Sequence, residues 1–289
     1  MNIALQHPPA GWLGRCRVLS LAALLALAAC GGNGGSSTGD NPPPADNPDS
    51  TTTLQGFYQA SAGPSGQEFL SLILPFTSGS VQWWGWYFRG PDSNADPYLF
   101  SGVLDLRQDG TAQSNAAGIK AFTSGALGTG SVSVSNASLE RFHASATAVA
   151  SQTALDFDAS AAPSSNYNVN RVALPADLEG RWSGTWSSDR SVYGSSTMTF
   201  SNTGALTSNA TNFPCSVTGL SLPPHTSGNA FSASLVVPVN TLCSWTPLST
   251  PKTLNGIAFI HTLANSSTRR LELMLLDSDG RGISFRGDQ

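Results

Sequence analysis

Short runs in which apolar and polar residues alternate fill the chain from Leu54 onward, and clusters of Gly, Asn, Ser and Asp separate them. Alternation with a period of two is typical of antiparallel strands that bury one face and leave the other to water. Two strands near the end are predicted by residues that share a face: Ile257, Phe259, His261 and Leu263 in the first, and Leu271, Leu273 and Leu275 in the second. No segment carries a long apolar period of about 3.6 residues with caps, so we expect little helix. The pattern predicts an all-β fold.

Three short sequence matches indicate two β modules, over residues 54–172 and 173–289. Residues 54–58 match residues 178–182 in sequence and open the two modules. The other matches pair residues 103–106 before Gly110 with residues 198–200 before Gly204, and residues 142–145 with residues 231–234. Chance similarity among Ser- and Gly-rich strands stays open as the alternative. We expect each module to be a small antiparallel β-barrel or β-sandwich, and the first to carry an insertion ahead of its Gly turn.

The N-terminal 29 residues have the features of an export signal. Arg15 and Arg17 precede an apolar run over residues 18–29, which is too short for the roughly 20 residues that a membrane-spanning helix needs. The run ends in Leu-Ala-Ala-Cys at Cys30, which resembles the lipobox of bacterial lipoprotein precursors. The resemblance implies cleavage before Cys30, acylation of its thiol and amino group (palmitate among the acyl chains), and an outer-membrane location because Gly31 follows. An ordinary secretory signal with a chance Cys is the alternative.

Residues 31–53 contain no apolar residue larger than Ala and are rich in Gly, Ser, Pro, Asn and Asp. Such a segment cannot bury enough surface to offset its ordering entropy, so we expect a disordered tether between Cys30 and the first strand. Beyond the signal, 12 basic and 18 acidic residues leave a formal charge of −6, and only Lys120 and Lys252 are lysines. Without a basic stripe to neutralise phosphates, nucleic acid is not an expected partner.

Two cysteines remain beyond Cys30, at positions 215 and 243. Export to an oxidising envelope favours a structural disulfide between Cys215 and Cys243. The alternative is a redox-active pair, but the sequence has no Cys-x-x-Cys motif and no basic residue adjacent to either thiol.

The aromatic run over residues 81–89 is the segment most open to interpretation as a binding site. Its candidate binding residues are Trp83, Trp84, Trp86 and Tyr87. On a strand, Trp84 and Trp86 share one face and Trp83 and Tyr87 share the other. A solvent-open row of rings could bind a sugar or a peptide. Alternatively both faces are covered, one by the module core and the other by the loop over residues 90–98 or by the neighbouring module.

Catalytic and metal-binding motifs are absent from the sequence: it has no Gly-x-Ser-x-Gly, His-Glu-x-x-His, Walker or Rossmann pattern. His143, His225 and His261 are widely spaced, so we expect no metal, no cofactor and no catalytic residue. His261 alternates with apolar residues and is expected in the interior or at its rim. Asp156 and Asp158 flank Phe157 and are expected to face water.

The second module resembles a group of uncharacterised proteobacterial outer-membrane lipoproteins. The resemblance covers residues 178–289 at most. It rests on Gly180-Arg181-Trp182, on residues 213–219 around Cys215, on residues 229–231, on Cys243, and on residues 254–259. It implies a small β-barrel or sandwich with no assigned activity. The Gly-x-Trp opening also resembles the start of lipocalin-like barrels.

These features favour a non-enzymatic lipoprotein, held at the envelope by its lipid anchor and facing the periplasm or the cell surface. It would act by binding a protein or glycan partner or as envelope structure. A proteinaceous inhibitor of an envelope or host enzyme, such as a lysozyme or protease, is an alternative, with the turn over residues 223–225 or the loop over residues 90–98 entering the active site. An enzyme that uses scattered carboxylates is another alternative.

Overall fold

The protein is described from a computed structural model. The described residues are 54–62, 67–88, 98–123, 126–148, 153–188, 192–208, 217–238, 250–278 and 282–289. Every regular element in these ranges is a β-strand, apart from one 3₁₀ turn at Pro175–Leu178. The all-β prediction is confirmed.

The first eight strands form a closed antiparallel barrel in which each strand pairs with its neighbour in the chain. They are β1 (Gly56–Ala62), β2 (Gln67–Thr77), β3 (Ser80–Phe88), β4 (Tyr98–Leu106), β5 (Ala112–Thr123), β6 (Ala126–Ser135), β7 (Arg141–Ala148) and β8 (Thr153–Ala161). A short ladder between β1 and β8 closes the barrel. Inward-facing side chains fill it, including Tyr58, Phe69, Trp83, Phe100, Phe142 and Phe157.

The last eight strands form a second antiparallel sheet with the order β11-β10-β9-β16-β15-β14-β13-β12. They are β9 (Gly180–Ser188), β10 (Val192–Phe200), β11 (Leu206–Ser208), β12 (Leu220–Ser221), β13 (Phe231–Val237), β14 (Lys252–Thr262), β15 (Arg269–Leu276) and β16 (Gly282–Asp288). As in the barrel, the first and the last of these strands in chain order, β9 and β16, pair with each other. In the described part of the chain no ladder joins β11 to β12.

The two sheets begin in the same way, as the first sequence match predicts. Gly56 and Gly180 start β1 and β9 at φ +137° and +114°, a backbone region that favours glycine. Two residues on, the Tyr58 hydroxyl donates to the Gln55 carbonyl at 3.1 Å, and the Trp182 indole N–H donates to the Leu178 carbonyl at 2.8 Å. An aromatic residue therefore fastens the chain that enters each sheet.

The other two sequence matches pair strands that have a different spacing in the strand order from that of β1 and β9. One precedes the turns at Gly110 and Gly204, which both have φ +76° and which follow β4 and β10. The other places Phe142 in β7 and Phe231 in β13. Both pairs are six strands apart, whereas β1 and β9 are eight apart. The hairpin β2–β3 therefore occupies the position of the expected insertion in the first module.

The expectation that the C-terminal strands leave one face to water is wrong for β14 and β15. Leu271, Leu273 and Leu275 face the core of the second sheet, as predicted. On the opposite face Ile257, Phe259, Met274 and Leu276 are buried as well, in a cluster that they share with the first barrel. The alternation is thus present, but both faces are covered because the outer surfaces of the two sheets pack on each other.

Candidate functional site

The tryptophans of the aromatic run are buried in this fold, so of the two hypotheses for this run the solvent-open platform is wrong for them. Trp83 and Trp86 are fully buried and Trp84 is 6% exposed. Trp83 points into the barrel, where its indole N–H donates to the Ser71 hydroxyl, and Trp84 and Trp86 face the second sheet. The other hypothesis holds for these three rings: the core of the first barrel covers one face of β3, and the second sheet covers the other. The side chain of Tyr87 lies outside the described residues.

An apolar junction joins the outer face of β1–β4 to that of β14 and β15. We use this name for Phe57, Leu70, Leu72, Leu74, Trp84, Trp86 and Leu99 of the first barrel, Tyr167 of the linker, and Ala230, Ile257, Phe259, Met274 and Leu276 of the second module. Phe259 is at its centre, with ring centroids 4.9 Å from Phe57 and 5.6 Å from both Trp86 and Tyr167. Tyr167 is also fixed by its hydroxyl, which donates to the Asn229 carbonyl at 2.9 Å.

A charged cluster of four side chains lies within the same contact between the sheets. Arg286 on β16 bridges the sheets, with Nη1 2.6 Å from Glu68 Oε2 on β2 and Nε 2.9 Å from Glu272 Oε1 on β15. His261 approaches Glu272 with Nε2 3.6 Å from Oε1, and its ring packs 4.6 Å from that of Phe57. His261 is 4% exposed, as expected for an interior residue, and Glu272 is 1% exposed.

Glu272 is ionised in this cluster because its neighbours outweigh its burial. Burial alone would raise the pKa of Glu272, but the charge of Arg286 and the contacts with His261 hold that pKa below its ordinary value of 4.5. Burial opposes the charge on Arg286 as well, and Glu272 and Glu68 together raise the pKa of its guanidinium. Each of these charges is therefore stabilised in the buried cluster by the opposite charges beside it.

Acid should loosen the fold through Glu272. A carboxylate whose folded pKa lies below its unfolded value of 4.5 contributes stability that is complete above that pH and is lost as the pH falls through the folded pKa. We expect the urea concentration at the unfolding midpoint of the wild-type protein to decrease as the pH is lowered below 4.5. In Glu272→Gln, the decrease in this midpoint per pH unit should be smaller. Glu140→Gln, in an exposed turn, should keep the wild-type slope. Parallel pH profiles for wild type and Glu272→Gln would contradict this role.

A polar cleft of about 180 Å³ opens at the edge of the junction, where the linker after β8 crosses β14 and β15. The linker lines it with Ser164, Ser165, Asn166, Tyr167, Asn168, Arg171 and Asp177, and the second module with Asn229, Phe231, Ile260, His261, Thr262 and Arg269. The Thr262 N–H donates to the Asn166 carbonyl at 2.9 Å, which fixes the linker to the end of β14. This hydrogen bond holds the linker against the second sheet at the cleft.

Asp177 accepts hydrogen bonds from both arginines of the cleft. Its carboxylate accepts from Arg171 Nη2 and, at 2.8 Å, from the Leu174 backbone N–H at the start of the 3₁₀ turn. Arg269 donates through Nη2 to the Asp177 backbone carbonyl and through Nη1 to Gln289 Oε1 at 2.7 Å. The Arg269 guanidinium also lies 5.2 Å from the centre of the Trp182 ring. The two arginines therefore converge on one carboxylate-bearing residue.

His143 on β7 forms a separate surface cluster with two carboxylates of β8. Its Nε2 lies 3.0 Å from Asp156 Oδ1 and its Nδ1 lies 3.0 Å from Asp158 Oδ1. Both aspartate side chains are largely exposed, as the sequence predicts. The pairing itself was not predicted, although the Asp-x-Asp spacing places both carboxylates on one face of a strand.

Several predicted residues lie outside the described part of the chain. These are the predicted lipidation residue Cys30, both cysteines of the expected disulfide, Cys215 and Cys243, and residues 90–97 of the loop over residues 90–98. The turn at residues 223–225 is described: the Ser232 N–H donates to the Pro223 carbonyl, and the His225 N–H donates to the Ala230 carbonyl. Backbone contacts therefore hold this turn against the start of β13.

Within the described ranges, no helix is long and apolar enough to cross a membrane. In the same ranges, no group of three or more His, Cys, Asp or Glu side chains could hold a metal ion. Comparison with models of protein families, with curated proteins and with solved structures finds no match to this chain.

Proposed function

We propose that the chain is a bacterial envelope lipoprotein that acts as a non-enzymatic binding module, with the cleft at the junction as its binding site. The observation that carries the proposal is the cleft itself, a concave polar surface between the linker and the ends of β14 and β15. Small-ligand sites are concave, and a small number of converging polar groups fixes the orientation of the ligand in them. Packed side chains occupy the interior of the first barrel and the core of the second sheet.

The location follows from the sequence rather than from the described fold. Acylated Cys30 would hold the protein at the outer membrane, and the tether over residues 31–53 would let the β modules reach a protein or glycan partner. Two or more acyl chains give stable membrane anchoring, at about 0.8 kcal/mol for each buried methylene.

Labelling of two cysteine variants tests the anchor. Cys30→Ser should lose incorporation of radiolabelled palmitate when the gene is expressed in a bacterium that processes lipoproteins, because the acceptor thiol is gone. Cys16→Ser, which removes the other cysteine near the N-terminus, should incorporate label like the wild type. Label that persists in Cys30→Ser, or that Cys16→Ser abolishes, would contradict the assignment.

Photo-crosslinking in living cells tests the binding site. A photoreactive amino acid at Asn168, an exposed residue of the cleft, should give adducts with envelope protein or glycan. The same amino acid at Asn202, exposed in the turn between β10 and β11, is the matched control and should give none. Absence of adducts at Asn168, or equal adducts at both positions, would contradict the proposal.

A further inference from the structure

The cleft carries more positive than negative charge. Arg171 and Arg269 both line it and both contact Asp177, whose carboxylate is 18% exposed. The Arg171 side chain is half exposed, and Asp177 is the one side-chain partner that the described residues give it. Since His261 is turned toward Glu272, the described side chains that line the cleft carry two guanidinium groups and one carboxylate, a net charge of +1.

The two guanidinium groups also repel each other. Burial lowers the pKa of Arg269, Asp177 opposes this shift, and the charge of Arg171 adds to it. A second anion in the cleft would relieve this repulsion. A guanidinium has five N–H donors in a planar fork that matches the two oxygens of a carboxylate, and the described contacts of Arg171 leave most of its donors for such a ligand.

We infer that the cleft binds a small monovalent carboxylate, held by Arg171 and Arg269 and by the neutral amides and hydroxyls around them. The inference rests on the proposed function and names the chemistry of its ligand. One negative charge balances the cleft, whereas a doubly charged phosphate would leave a negative excess beside Asp177. The neighbouring side chains of Asn166, Asn168 and Thr262 suit the hydroxyls or amide next to such a carboxylate. A sugar acid and the C-terminal residue of a peptide share this chemistry.

Titration calorimetry on the purified chain tests the inference with three compounds: glucuronate, N-acetylalanine and glucose. At least one of the two carboxylates should bind saturably, and glucose, which lacks the charge, should bind more weakly. Binding of glucuronate alone identifies a sugar acid, binding of N-acetylalanine alone identifies a peptide terminus, and binding of both identifies the carboxylate as the determinant. Saturable binding of neither carboxylate, or equal binding of glucose, would overturn the inference.

Variants locate the binding. Arg171→Gln should weaken the affinity for the bound carboxylate about 10-fold or more, since a hydrogen bond to a charged group is lost. Arg141→Gln, at an exposed position of β7 that does not line the cleft, should bind like the wild type. Equal affinity for Arg171→Gln and wild type would overturn the assignment.

Backbone amide shifts of the wild-type protein give a readout that does not depend on the folding of a variant. The ligand should shift the amide signals of Asn168 and Thr262 and leave those of the β7–β8 hairpin in place. Shifts confined to other surfaces would overturn the inference. Because these experiments use the purified chain, their failure is distinct from a failure of the palmitate labelling or of the crosslinking in cells.

Discussion

Arg286→Leu is expected to destabilise the protein by about 3–5 kcal/mol, the usual cost of removing one partner of a buried ion pair. The substitution leaves Glu272, which is 1% exposed, without the guanidinium that offsets its burial. It also removes the contact between Glu68 on β2 and β16, which crosses the two sheets. Urea unfolding at neutral pH, monitored by tryptophan fluorescence, measures the loss.

Two further variants separate the buried charge from a general effect of losing an arginine. Arg181→Leu, at an exposed position of β9, should change stability by no more than about 0.5 kcal/mol. The double variant Arg286→Leu/Glu272→Leu should recover much of the loss, because it leaves no unpaired charge at the buried position of Glu272. Glu68 also loses its contact with Arg286, but its side chain is 41% exposed and water can solvate it. Equal midpoints for Arg286→Leu and Arg181→Leu would show that the charged cluster contributes nothing to the fold.

Phe259→Ala is expected to cost about 3–5 kcal/mol, the range for truncating a fully buried phenylalanine. The ring contacts Phe57 and Trp86 of the first barrel and Tyr167 of the linker, so its loss opens a cavity at the centre of the apolar junction. Because this cavity lies between the sheets, the unfolding transition should also broaden as the two sheets become less coupled.

Phe76→Ala is the matched control for that experiment. Phe76 is an apolar residue of β2, but it is 56% exposed, so its truncation leaves no cavity and should change stability by no more than about 0.5 kcal/mol. Similar urea midpoints for Phe259→Ala and Phe76→Ala would mean that the sheets do not pack through the junction.

The strands of this fold could be predicted because their evidence is local. Leu271, Leu273 and Leu275 alternate with other side chains, and this alternation alone assigns them to a strand and to one face. The aromatic run likewise predicted that Trp83 and Trp84 lie on opposite faces of a strand. Which residues cover the second face of these strands depends on how the two sheets pack on each other, and a local sequence pattern does not predict that packing.

The charged cluster and the cleft could not be predicted for the same reason. Glu68 and Arg286 are 218 positions apart in the chain, and neither has a sequence motif around it. One signal was present: Glu272 interrupts the apolar strand over residues 271–276, where a charge is costly unless it is paired. The cleft residues Asn166 and Asn168 have the composition of an ordinary turn, and only the fold brings them to Arg269.

Calorimetry of the purified protein tests most directly whether the two sheets form the single unit on which the cleft depends. If the junction couples them, heating should give one transition whose calorimetric enthalpy equals its van't Hoff enthalpy. Two separate transitions, each with the enthalpy of about half the chain, would contradict the account.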